Sequence, residues 1–449
     1  MEHTTMTSRI RATALILAAA PIFAACSGMV DNETIGTAPT TTSASNGTVN
    51  FIRYAALGTS VSMGLQSAGV NDSTQREAFP YQLAQAMGLT PGVNWFYPSL
   101  AYPGCPAPYT NPLTGSRVNG VSGTACAYRT PGSAHPFMNN VGVNAVRVVQ
   151  ALDITRLDFP VSDTVGILAQ FVTGSMNPID MATEQNPTFI TVELGANDLL
   201  RVATYGDANL MTSTDSFQAQ YTRLADRLDA TGAAIAISNV PDVTAAPFTS
   251  RGFMFFCLKN GCPAFGINAT PPYSLASFLP AANCAPSPAL GGPVGGVGDS
   301  TLVSFPTTGG ITKVLAGGGA VQLDCAAGTV LINIGAGFVT PPAALFPVLT
   351  ITAAEFSAAQ ARRIAFNTFL QSLAQTRGYA YANIDSTLRT LSADPTKVPP
   401  FPNFANPSAL FGTYFSLDGF HPSKAGQRLV ALTFANAINA KFGTTLTIP

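Results

Sequence analysis

The chain has 449 residues, enough for one large domain or two ordinary domains with a sizeable buried core. Only 10% of the residues are charged, against roughly 25% in an average soluble protein, which excludes disorder driven by charge. The 22 basic and 23 acidic residues give a formal net charge of -1, and the basic residues form no cluster, which argues against nucleic acid as a partner. The 40 glycines and 34 prolines predict long ordered loops.

The N-terminus has the pattern of a secretory signal. Arg9 and Arg11 precede a short apolar stretch, and small residues then lead to Cys26. This resembles a bacterial lipoprotein signal, in which the cysteine becomes the lipidated first residue of the mature chain. We therefore expect residues 1–25 to be removed and the chain to be exported and anchored to the outer membrane through Cys26.

The alternative is simple cleavage near Ala25, with release into the periplasm or the medium. It stays open because Phe23 occupies a position where lipoprotein signals usually have leucine. Residues 26–50 are rich in Ser, Thr, Gly and Asn, which is typical of a flexible tether between an anchor and a folded domain.

Six cysteines remain besides Cys26, and an even set in an exported chain predicts disulfide bonds. Nearest-neighbour pairing would join Cys105 with Cys126, Cys257 with Cys262, and Cys284 with Cys325. Other pairings stay open at this point. Zinc is the competing interpretation, but paired C-x-x-C elements are missing and the mature chain has only His135 and His421, so we expect no metal.

Apolar patterning predicts strands alternating with helices from Phe51 onwards. In chain order we expect a strand over 51–57, a helix over 79–87, a strand over 95–100, a helix over 143–152, a strand over 188–194, a helix over 217–228, a strand over 233–238, a helix over 353–374, a strand over 379–384 and a helix over 425–441. This alternation indicates an α/β fold with a parallel sheet covered on both faces.

Two Gly/Pro-rich stretches interrupt the alternation, at about 101–138 and 245–350. They contain all six of the remaining cysteines and only short strand-like runs. We interpret them as disulfide-tied insertions in a single domain over 51–449. A separate second domain over 253–345 is the alternative.

A candidate nucleophile follows the first predicted strand. Ser60 stands past the carboxyl end of that strand, where open parallel sheets build their sites. A serine in this position more often caps a helix or closes a turn, so it needs partners. His421 can take its proton, and Gly419 permits a tight turn that brings Asp418 to the other ring nitrogen.

A third motif, Gly195-Ala196-Asn197-Asp198, follows a buried strand. The Asn197 amide can donate a hydrogen bond to the oxyanion of a tetrahedral intermediate. The alternative is a helix cap, and for that role Asp198 is the better candidate. Glu193, inside the strand, is interpreted as a packed or paired side chain.

Four polar residues follow the order found in one enzyme family: Ser60, Asn197, Asp418 and His421. On these residues the chain resembles the SGNH hydrolases, the GDSL esterase/lipase family. The resemblance covers roughly 51–100, 139–245 and 353–443. It implies a three-layer α/β/α, flavodoxin-like fold with about five parallel strands, in which Ser60, His421 and Asp418 are the catalytic residues.

The family's motifs match unevenly. The block G-x-N-D is matched in full by residues 195–198, and D-x-x-H-P by residues 418–422. In the G-D-S-x block, Thr59 replaces the usual acidic residue, which bears on local support of the loop more than on the triad. In the second block, over 140–148, the glycine that donates a backbone N–H to the oxyanion is replaced by Ala145.

The resemblance implies an oxyanion hole made by Asn197, the Ser60 backbone and Ala145, with Gly142 or Gly104 as the alternative donor to Ala145. It implies no cofactor. The expected activity is that of a monomeric serine esterase or lipase acting on a lipid or an acylated small molecule, with the apolar insertions framing an acyl pocket.

Two rival functions stay open. An O-deacetylase or acyltransferase acting on cell-envelope polysaccharide is the first, although Trp95 is the only tryptophan available for sugar stacking. The second is a non-catalytic, lipid-binding envelope lipoprotein, which is motivated by Thr59 and Ala145.

Overall fold

A computed structural model describes residues 49–120, 138–157, 164–343 and 349–449. The predicted signal peptide with Cys26, most of the tether, Cys126 and His135 lie outside the described residues.

The strands are β1 (Tyr54–Gly58), β2 (Tyr109–Asn111), β3 (Ser116–Arg117), β4 (Asn140–Gly142), β5 (Phe189–Glu193), β6 (Ala234–Ser238), β7 (Thr249–Arg251), β8 (Phe278–Pro280), β9 (Leu302–Ser304), β10 (Ala320–Asp324), β11 (Thr329–Asn333), β12 (Thr350–Ile351) and β13 (Ala380–Ala382). The helices are α1 (Ser60–Met63), α2 (Asp72–Glu77), α3 (Phe79–Ala86), α4 (Val148–Leu152), α5 (Thr164–Thr173), α6 (Pro178–Thr183), α7 (Ala196–Tyr205), α8 (Thr214–Asp229), α9 (Gly252–Asn260), α10 (Phe305–Ala316), α11 (Ala353–Arg377), α12 (Ile384–Ser392) and α13 (Lys424–Phe442).

Five strands form one parallel sheet in the order β13-β6-β5-β1-β4. Numbered along the chain, this is the order 2-1-3-4-5 of doubly wound sheets. The prediction of an α/β fold with about five parallel strands is confirmed. In such a sheet the chain changes direction between β1 and β5, and ligands bind outside the carboxyl ends at that point.

Helices cover both faces of the sheet. Successive strand residues point to opposite faces, so Ala56 and Phe189 pack against α3 and α13, while Leu57 and Ile190 pack against α4, α8 and α11. The strands are apolar at nearly every position because neither face meets water. The result is three layers, helix on sheet on helix.

The predicted strand over 95–100 is wrong, and β4 takes the edge position of the sheet. Pro98 lacks an N–H for a ladder. The side chain of Gln75 bonds the Pro98 carbonyl and the Leu100 N–H, both at 2.8 Å, so this backbone is satisfied without a strand partner. Trp95 is buried in the cluster that packs under α3.

Helix content was underestimated in several places. The insertion over 245–350 contains α9 and α10, where only short strands were expected, because phenylalanines and paired glycines obscure the helical period. The predicted helix over 143–152 begins only at Val148. The segment after β5, for which no element was predicted, contains the ten-residue helix α7.

The insertions also carry small sheets of their own. β2 and β3 form an antiparallel hairpin in the first insertion. In the second insertion β8, β10 and β11 form one three-stranded sheet, and in another β9 pairs with β7 on one side and with β12 on the other. Among the described residues no helix is both long and apolar enough to cross a bilayer.

Two of the three expected disulfides are confirmed, Cys257–Cys262 and Cys284–Cys325. Cys105 is also disulfide-bonded. Its expected partner Cys126 lies outside the described residues, so that pairing stays a prediction.

The two described disulfides close loops of very different length, 41 residues for Cys284–Cys325 and 5 residues for Cys257–Cys262. Loop-closure entropy then gives about 4 kcal/mol for the long loop and about 2 kcal/mol for the short one. We expect alanine replacement of each pair to lower the free energy of unfolding by these amounts, measured by equilibrium unfolding in urea. Equal losses for the two pairs would contradict this expectation.

Candidate active site

Ser60 lies at the junction of β1 and α1, as the first residue of the helix. The turn before it is tight, because a Cβ on Gly58 would lie 1.9 Å from the Ser62 hydroxyl oxygen. Thr59 caps the short helix by accepting the Val61 N–H on its side-chain oxygen. Ser60 is thereby fixed at the carboxyl edge of the sheet, with 6% of its surface exposed.

One turn near the C-terminus brings the acid and the base together. Gly419, with φ of 74°, occupies the left-handed position of this turn. Asp418 Oδ1 accepts the backbone N–H groups of Phe420 and His421 at 2.9 and 2.8 Å. Its Oδ2 lies 2.9 Å from His421 Nδ1, and His421 Nε2 lies 2.9 Å from Ser60 Oγ. The three predicted catalytic side chains therefore form a continuous hydrogen-bond chain in the order Asp418, His421, Ser60.

The Asp418 carboxylate is held in its charged form. Burial by itself would raise its pKa. The electrostatic attraction of the His421 ring, the hydrogen bonds from that ring and from the His421 backbone, and the Ala68 N–H outweigh burial and hold the pKa of Asp418 at about 2. A charged carboxylate can fix the tautomer of the imidazole and stabilise an imidazolium beside it.

Sheet register sets the position of the oxyanion candidates. Gly58 of β1 is level with Gly142 of β4 on one side and with Glu193 of β5 on the other. The segments that follow these strands leave the sheet at the same edge. Ala145 and Asn197, one from each segment, line a single pocket of about 180 Å³.

Both oxyanion candidates have suitable donors. Ala145 has φ of 57°, so it adopts the left-handed backbone that a glycine would adopt at this position. The Asn197 amide carries two N–H donors and gives one to the Val146 carbonyl at 2.9 Å. Gly142 and Gly104 do not line this pocket; their missing Cβ atoms leave room for the Met63 backbone and the Val70 carbonyl.

Asp198 does not cap its own helix, contrary to expectation. Gly195 is the N-cap of α7, and no side chain bonds there. The Asp198 carboxylate instead accepts the Val148 N–H, at the start of α4, and the Thr212 hydroxyl, at 3.1 and 2.7 Å. Asp198 therefore connects α7 to the start of α4 and to the segment that carries Thr212.

Glu193 is a buried and paired side chain, as expected, and the partners that the sequence did not predict lie at the site. Its buried carboxylate accepts the Thr59 N–H at 3.0 Å, the Thr59 hydroxyl at 2.8 Å and the Ser62 hydroxyl at 3.0 Å. Burial raises the pKa of Glu193, and these hydrogen bonds offset part of that rise. Thr59 precedes Ser60 and Ser62 follows it, so one carboxylate holds the turn around Ser60 through residues on both sides of the serine.

In the sequence, the sign of this support for the Ser60 turn was Thr59, which stands where the SGNH family has an acidic residue.

Within the ranges that the structure describes, no three His, Cys, Asp or Glu side chains lie close enough together to hold a metal ion. Comparison with protein-family models gives no match for this chain, and comparison with curated proteins gives none either.

We predict that Glu193→Gln lowers kcat about tenfold with little change in KM, measured with a soluble p-nitrophenyl ester. All three donors bond Oε2. A neutral amide oxygen in its place accepts these hydrogen bonds more weakly than a carboxylate does, at a cost of about 1–3 kcal/mol in the free energy of unfolding. Glu355→Gln is the matched control, because Glu355 accepts the N–H and the hydroxyl of Thr352 at the start of α11. Equal kinetic effects in both variants would contradict the positioning role.

Proposed function

We propose that the protein is a serine esterase of the SGNH type that hydrolyses carboxylic esters. The observation that carries the proposal is the unbroken hydrogen-bond line Ser60–His421–Asp418 at the carboxyl edge of the sheet. Ser60 attacks the ester carbonyl while His421 Nε2 takes its proton. His421 then returns that proton to the leaving alcohol, and water repeats the sequence to release the acid.

The oxyanion of each tetrahedral intermediate is held by the Asn197 amide together with the backbone N–H groups of Ser60 and Ala145. The supporting observations are the shared pocket of Asn197 and Ala145 and the left-handed backbone of Ala145. Such donors act strongly because they are fixed before the charge develops.

An apolar acyl group is the substrate feature we favour over a polysaccharide. Trp95, the only tryptophan, has 0% exposure and packs beside the rings of Tyr54 and Tyr81, so it offers no surface to a sugar. Phe248 of the second insertion stacks on Phe420, next to the catalytic histidine, with ring centroids 4.1 Å apart. We propose that the insertions border the acyl site at this position.

The decisive test is hydrolysis of p-nitrophenyl esters of graded acyl length by the mature protein. We expect Ser60→Ala to abolish turnover and Asn197→Ala to lower kcat by about 10²–10³. Ser357→Ala, at an exposed serine of α11, is the control and retains full activity. Turnover that persists in Ser60→Ala rules out the mechanism. Deacetylation of polysaccharide without any response to chain length favours the deacetylase, and absence of all turnover favours the binding protein.

We also propose that the chain is exported and lipid-anchored through Cys26. The described disulfides support this, since such bonds persist in oxidising compartments. In a bacterial host the full chain is expected in the membrane fraction, and Cys26→Ser in the soluble extract, with Ser27→Ala as the control. A wild-type chain already in the soluble extract would favour simple cleavage.

A further inference from the structure

A tight turn directly after the nucleophile helix contacts the catalytic acid. Gln66 and Gly69 exchange two backbone hydrogen bonds, of 2.8 and 3.0 Å, around Ser67 and Ala68. Both central residues have positive φ, 53° and 50°, as in a type I′ turn. Glycine or asparagine usually fills such positions, because a Cβ makes them unfavourable. This conformation therefore needs partners outside the turn.

The N–H groups of the turn point to the loop that carries Asp418. The Ser67 N–H donates to Ser416 Oγ at 2.8 Å, and Ser67 Oγ accepts the Leu417 N–H at 3.1 Å. The Ala68 N–H donates to Asp418 Oδ2 at 2.7 Å. That oxygen is the one bonded to His421, so the turn fixes the carboxylate directly.

The carbonyl groups of the same turn face the first insertion. The Ser67 carbonyl accepts the Tyr109 N–H at 2.8 Å, and the Ala68 carbonyl accepts from Arg117 Nη1 at 3.2 Å. The Arg117 guanidinium also bonds the Ala107 carbonyl at 2.5 Å and lies 3.8 Å from the centre of the Tyr109 ring. The β2–β3 hairpin therefore binds the carbonyl side of the turn through hydrogen bonds from Tyr109 and Arg117.

The turn is packed closely against the first insertion. A Cβ on Gly69 would lie 2.5 Å from Pro108 N and 2.6 Å from the Pro106 carbonyl oxygen. The peptide group between Ser67 and Ala68 accepts from the hairpin and donates to Asp418, and hydrogen bonds in such a chain polarise and strengthen one another.

We propose that Arg117 is a positioning residue for Asp418, and that the first insertion orients the catalytic acid through the turn over residues 66–69. The inference rests on the proposed function where activity is measured. It assigns the hairpin a role in catalysis that is separate from substrate choice.

The test compares Arg117→Ala with Arg53→Ala. Arg53 is the matched control, because its guanidinium also donates to a backbone carbonyl, that of Asn186. It lies just before β1, at the end of the strand away from Ser60. With p-nitrophenyl butyrate we expect kcat to fall about tenfold in Arg117→Ala, with KM within about twofold of wild type and no change in the control. An increase in KM with kcat retained would mean that the hairpin contacts substrate, and would overturn the proposal.

A second readout needs no substrate. The proton between His421 Nδ1 and Asp418 gives a low-field resonance in the proton NMR spectrum, which we expect to broaden or move in Arg117→Ala and to stay in Arg53→Ala. An unchanged resonance overturns the positioning role even if the wild type hydrolyses no ester, so the two failures are distinguishable. If Arg117→Ala does not fold, Arg117→Met takes its place. Its unbranched side chain still covers the Tyr109 ring, but it has no donor for the Ala68 and Ala107 carbonyls. Unchanged kcat and resonance in that variant count against the proposal.

Discussion

The register of the parallel sheet is the constraint on which the candidate site depends. β1 lies between β4 and β5, and Gly58 is level with a residue at the end of each neighbour. The turn that carries Ser60, the loop that carries Ala145 and the helix α7 therefore all begin at the carboxyl ends of neighbouring strands. A shift of one residue in either pairing would move a donor by about 3.3 Å along the strand, farther than a hydrogen bond tolerates.

Inside that frame, buried carboxylates fix the local geometry. Glu193 supports the turn around Ser60, Asp198 joins α7 to α4, and Asp418 holds His421. Glu193 and Asp198 act through hydrogen bonds from backbone and hydroxyl donors, and Asp418 acts through backbone donors and the His421 ring. Although the chain has few charged residues, it places several of its acidic side chains in the interior, where they orient other residues.

The sequence allowed the sheet, most of its helices and the contact between Asp418 and His421 to be predicted, because apolar runs and the spacing of these two residues are local signals. The place of Ser60 beside them was predicted from the family resemblance. It did not locate the edge strand, since the side chain of Gln75 substitutes for a strand partner along 98–100. Nor did it disclose the contacts of Glu193 or Arg117. Those depend on segments that lie far apart in the chain and meet only after folding.

Ser60 and His421 are separated by 361 positions in the chain. The strands β4, β5, β6 and β13 lie between them in sequence and share one sheet with β1. The hydrogen bond between Ser60 and His421 therefore forms only after all of these strands have paired. Under the proposed mechanism, esterase activity is a direct measure of correct folding across the range from Ser60 to His421.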